Sequence, residues 1–132
     1  MRLCNGIYGL VIAFLISGGV RLWAHHSFAA EYDGSKPIKL SGIVTKFDMV
    51  NPHSWIYVDV KDDTGKVVNW KFETASPSNL YRRGFKKDTI KSGMQVILEG
   101  YLAKDGSPTA NGQKLYMPDG TVIILGTEVN PG

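Results

Sequence analysis

Residues Trp55 to Glu73 leave little choice of local structure. In Trp55–Val60 the apolar residues Ile56, Val58 and Val60 alternate with Trp55, Tyr57 and Asp59. A period of two places successive side chains on opposite faces, which is a β-strand. Asp62-Asp63-Thr64-Gly65 follows, a turn with glycine where a positive φ is needed. Val67 to Glu73 then returns, with Val68, Trp70 and Phe72 alternating against Asn69, Lys71 and Glu73. The rest of the chain is arranged around this hairpin.

Ahead of it, Ile38 to Val50 reads as a long first strand with the apolar phase Ile38, Leu40, Ile43, Phe47 and Met49. The phase slips near Ser41-Gly42, as at a glycine-marked bulge, and a strand bent there would serve two sheet edges. Asn51-Pro52-His53 turns the chain into the hairpin. After it the period changes. Ser76 suits an N-cap, Pro77 the first helical position and Gly84 a C-terminal stop, so a two-turn helix is expected with Leu80 and Tyr81 on its packing face. Met94 to Tyr101 alternates as a fourth strand, and Lys104 to Gly112 is expected to be a loop. Gln113–Met117 and Thr121–Leu125 form a last hairpin around Pro118-Asp119-Gly120.

Three meandering strands, a helix, then two more strands is the element order of the OB fold. The expected fold class is therefore all-β with one short helix, an OB-fold-like barrel of five to six strands. An N-terminal signal peptide is expected to precede it. Arg2 supplies a positive start, Ile7 to Val20 an apolar stretch and Leu22-Trp23-Ala24 a cleavage site, for which residues 1–24 would be removed. A cut after Gly19 is the alternative. The apolar stretch stops at Arg21, short of the roughly 20 residues a bilayer span requires, so no membrane span is expected in the mature form.

The domain is then 25–132, with a polar lead-in at 25–37 and a frayed tail at 126–132. Its location would be periplasmic or secreted. Loss of Arg2 and Arg21 lowers the 15 basic residues by two against 12 acidic ones, so the mature chain is near neutral. That charge and export argue against a nucleic-acid partner. The single cysteine, Cys4, leaves with the leader, which excludes disulfides and thiolate metal sites.

Several short motifs carry a likeness. His25-His26-Ser27-Phe28, Glu31-Tyr32-Asp33, Asn51-Pro52-His53 with Trp55, Asn69-Trp70 with Phe72-Glu73, and Arg82-Arg83-Gly84 resemble a group of bacterial exported proteins classed as a domain of unknown function, DUF6152. The resemblance spans nearly the whole mature chain. It implies export and one small β-rich domain, and it implies no activity.

The candidate chemistry rests on three histidines, His25, His26 and His53. Cleavage after Ala24 would make His25 the N-terminal residue. Its amine and imidazole can chelate one ion together, and His53 or His26 can supply a third nitrogen. Such a histidine brace, with Glu31, Asp33 or Met49 as a weaker axial ligand, suits Cu(II). The plainer reading makes His25 and His26 mobile terminal residues and His53 a polar turn residue.

A second candidate is the face of strands two and three carrying Trp55, Tyr57, Asn69 and Lys71, where an unknown small ligand or an envelope protein would stack; ordinary cross-strand packing is its plainer alternative. The basic cluster Arg82, Arg83, Lys86 and Lys87 reads as a solvated surface rather than an anion site. Catalysis has little support, because His26-Ser27 and His53-Ser54 are sequence neighbours that a strand points to opposite faces. A non-enzymatic binding protein is the expectation.

Overall fold

The computed structural model describes residues 28–126. One helical turn, α1 (Phe28–Glu31), leads into β1 (Tyr32–Asp48), then β2 (Trp55–Lys61), β3 (Val67–Glu73), α2 (Pro77–Arg82), β4 (Gln95–Ala103), β5 (Thr109–Tyr116) and β6 (Val122–Ile124). The strands lie in the order β3-β2-β1-β4-β5-β6, and β3 also pairs with β5. Five strands thus close into a barrel-like ring, with β6 outside on β5. Every pairing is antiparallel except the closing one, where Lys71, Phe72 and Glu73 run parallel to Thr109, Ala110 and Asn111. The expected OB-like architecture is the one observed, with the extra turn α1 added.

The long first strand does serve two neighbours. Its Ile43–Asp48 half pairs with β2 and its Tyr32–Ile43 half with β4. The bend, however, is not at Gly42. The register with β2 shifts between Val44 and Lys46, so Thr45 is the bulged residue. The inward phase runs through Gly42 to Val44 and resumes at Phe47, while Ile43 faces outward at 40% exposure. Gly42 is there for close approach: a Cβ would lie 2.8 Å from the Asp59 carbonyl oxygen. A missing side chain thus looks like a slip in an apolar pattern that is intact.

Two boundaries also move. The polar lead-in is structured from Phe28, and β1 starts at Tyr32 rather than Ile38. Asp33–Lys36 leave the ladder between Tyr32↔Ala103 and Pro37↔Tyr101, and Asp33 Oδ1 accepts from Ser35 N at 3.0 Å. This local turn gives the segment its polar, aperiodic character. At the other end, β5 begins at Thr109, inside the expected loop, because Ala110 and Gly112 are buried at the joint with β3.

The core inside the ring is built from Val44, Ile56, Val58, Phe72, Val96, Leu98, Ala110 and Leu115. Leu80 and Phe85 around α2 close one end. Ser76 caps α2 by accepting from Asn79 N, and Pro77 opens it. Leu80 is fully buried, but Tyr81, expected beside it, is 51% exposed. Arg83 Nη1 donates to the carbonyls of Ile124 at 3.2 Å and Gly126 at 2.5 Å, tying the helix end to the last strand.

Gly100 faces β5 where the β4–β5 register shifts. A Cβ there would collide with the Asn111 carbonyl oxygen. Because the obstacle is backbone, Gly100→Ala should lower stability by roughly 1–3 kcal/mol. Urea unfolding measures this, and an unchanged midpoint would refute it.

Candidate functional site

β3 ends on its outward phase with a carboxylate. Opposite Trp55 of β2, Glu73 should face solvent, yet it is only 8% exposed. The cause is the N-terminal segment. Lys104 holds that segment through both ends, its amide donating to the Glu31 carbonyl at 2.8 Å and its Nζ to the Ala29 carbonyl at 2.5 Å. Phe28 stacks on Tyr32 at 5.7 Å between ring centroids and meets Tyr101 edge-on at 5.6 Å. Tyr32 is thereby driven inward to 4% exposure, and its hydroxyl donates to Glu73 Oε2.

The other carboxylate oxygen, Oε1, is in contact with His53 Nδ1. His53 is positioned by the turn before β2, in which the Asn51-Pro52 peptide is cis. Ser54 then anchors the start of β2 to β3, its amide donating to Ala75 O and its carbonyl accepting from Thr74 N. The result is a Tyr32–Glu73–His53 relay drawn from the N-terminal segment, the end of β3 and the turn. Burial, followed by the hydrogen bond to Glu73 and that residue's charge, pushes the Tyr32 hydroxyl well above its ordinary pKa. It therefore acts as a neutral donor. With Nδ1 directed at the carboxylate, Nε2 is the ring nitrogen available to a ligand, and the His53 side chain is 38% exposed.

This relay lies on a cleft of about 560 Å³ whose wall includes Phe28, Asn51, Asn79 and Asn111. Of the three predicted metal ligands, His53 is in the cleft, while His25 and His26 lie outside the described residues. Among the described residues no three histidine, cysteine or acidic groups converge on a metal position. The suggested axial donors are engaged elsewhere: Met49 packs on the core and Asp33 pairs with Lys36 at 3.5 Å. Glu31 lies in a different cavity, described next.

The four residues of the second candidate share a face but not one cavity. Lys71 is opposite Tyr57, and Asn69 opposite Asp59. Trp55 and Lys71 line a cavity of about 550 Å³ with Glu31 and Tyr32, and Lys71 Nζ stands 5.5 Å over the Trp55 ring. Tyr57 is instead approached by Lys46 Nζ at 5.3 Å. Asn69 Nδ2 donates to Asp59 Oδ1 at 2.8 Å and to Thr45 Oγ1 at 3.1 Å. Tyr57 and Asn69 thus take part in cross-strand packing, while Trp55 and Lys71 border open space.

Tyr32 and Glu73 were not singled out as site residues from the sequence. They are 41 positions apart, and strand periodicity assigns Glu73 to solvent. Their one available signal was membership of the short motifs quoted above, three of which meet at this relay.

Among the described residues, no helix is long and apolar enough to cross a membrane. No curated protein and no solved structure matches the chain. A family model does match, over residues 12–113, which takes in the N-terminal segment, the turn, β3 and most of the ring. With more than half its length matched, the chain belongs to the family of unknown function DUF6152.

Proposed function

We propose that this is an exported, periplasmic or secreted, non-enzymatic binding protein that holds Cu(II) between His53 and a mature N-terminus at His25. One observation carries this reading. A half-exposed imidazole has its Nδ1 held by a buried carboxylate, in a cleft that Phe28 also lines. A histidine that ligates a metal through one nitrogen almost always donates its other N–H to such a partner, which fixes the ring and raises its basicity. His25 is three residues before Phe28, so it is within roughly 10 Å of chain from the cleft wall. The amine and imidazole of His25 with Nε2 of His53 would give the three-nitrogen set that suits Cu(II). His26 is the substitute or neighbouring donor.

The test compares protein beginning at His25 with protein carrying one methionine ahead of it. Calorimetric titration should show one tight Cu(II) site in the first and a loss of at least tenfold in the second. Equal binding by both would exclude the brace, and binding by neither would exclude the metal.

A second reading, metal-free, places a small ligand or envelope protein on Trp55 and Lys71. Its support is the cation poised over an aromatic ring beside open space. Trp55→Ala separates the two, since it removes binding only on this second reading.

A further inference from the structure

The cleft at His53 is much larger than one ion needs. Its volume of about 560 Å³ falls in the range of about 300–1,000 Å³ typical of small-molecule sites. The chemistry of its wall narrows the occupant. Among the described residues the ionisable side chains on it are Tyr32, His53 and Glu73, and these are already paired with one another. Among the described residues no lysine or arginine lines the cleft, so the described wall offers an anion no fixed counter-charge. Both oxygens of the one carboxylate are engaged, which leaves little for a second cation.

The rest of the described polar wall is neutral. The side-chain amides of Asn51 and Asn79 have no hydrogen-bond partner among the described residues. Asn111 Oδ1 accepts from Gln113 Nε2, which leaves the Asn111 amide protons free to donate. The Ser76 and Ser78 hydroxyls share one bond of 3.1 Å with each other. Amides and hydroxyls each offer a donor and an acceptor at one group, matching the two-way hydrogen bonding of an alcohol. On the apolar side stands the half-buried ring of Phe28, backed by the buried Tyr32, a surface for C–H groups.

From these observations we infer that the cleft binds a small uncharged polyhydroxy molecule, a sugar or sugar alcohol, beside His53. This goes beyond the metal reading and does not depend on it, because none of the groups invoked is a metal ligand.

The experiment uses metal-free protein beginning at His25, labelled with nitrogen-15. Glucose and sorbitol are titrated while side-chain amide signals are followed, with citrate as the anionic control. The expected result is saturable movement of the Asn51, Asn79 and Asn111 signals by at least one neutral probe and none by citrate. Asn51→Ala and Asn79→Ala should each weaken the affinity roughly three- to tenfold, the size of one lost hydrogen bond. Neither side chain has a hydrogen-bond partner among the described residues, so both variants should remain folded. Absence of saturation by both probes would overturn the inference. So would an equal response to citrate, or affinity unchanged in both variants. Repeating the titration with Cu(II) present separates the two sites: neutral binding without copper binding sinks the metal reading alone.

Discussion

Glu73→Ala should weaken Cu(II) binding by the protein beginning at His25 roughly 10–100-fold, the usual effect of removing the group behind a ligating histidine. Glu73 is the hinge of the relay, accepting from Tyr32 on one oxygen and meeting His53 on the other. Without it the imidazole loses both its orientation and the bias that leaves Nε2 for the ligand. Tyr32, a residue only 4% exposed, would also have its hydroxyl left without its Glu73 acceptor. An unsatisfied buried donor costs about 1–3 kcal/mol, so stability should fall as well. The two effects are separable. Tyr32→Phe removes the buried donor but keeps the Glu73–His53 contact, so it should leave the copper spectrum unaltered. Glu73→Ala should change the electron paramagnetic resonance spectrum of whatever copper remains. Wild-type affinity and spectrum in Glu73→Ala would show that the carboxylate serves the fold only.

The second large effect is expected at the ring joint. Phe72 is fully buried and opposes Ile56 on one side and Ala110 on the other. A Cβ on Gly112 would already lie 3.4 Å from the Phe72 Cβ, so the neighbourhood is tightly packed. Phe72→Ala removes the ring and leaves a void where β3 meets β5, at a cost of about 3–5 kcal/mol. Small domains typically have about 5–15 kcal/mol in all, so this variant should be close to unfolding at room temperature. Urea titration gives the value. A loss below about 1 kcal/mol would mean that β3 and β5 collapse together and refill the space.

The hairpin β2–β3 was readable residue by residue, because one face is buried and the other is not. Its boundaries, Trp55–Lys61 and Val67–Glu73, are those of the alternation itself. Helix α2 was equally plain from Ser76, Pro77 and Gly84, each of which has a local backbone reason to be there. What the sequence obscured depended on distant chain. Gly42 looked like a bulge because Asp59, which forbids a side chain there, is far away in sequence. Tyr81 looked inward because helical periodicity does not say how much of a two-turn helix is covered. His53 was visible as a rare residue in a turn. Glu73 was not, because its burial comes from Tyr32 and a segment anchored by Lys104. A relay whose members sit in three separate elements leaves no mark on any single period.

The parallel joint of β3 with β5 has a bearing on when this protein becomes competent. Glu73 pairs with Asn111 in that joint, and both residues line the cleft at His53. A chain emerging from a ribosome can form the β1–β2–β3 meander early, since those contacts are local. The joint must wait for residues beyond Asn111, and non-local closure of this kind is the slow event in β-rich folding. Until then Phe72 and Ile56 lack their cover and the cleft lacks a wall. Closure of the ring and completion of the cleft are one and the same step, so a ligand held in the cleft would select finished molecules from those still assembling.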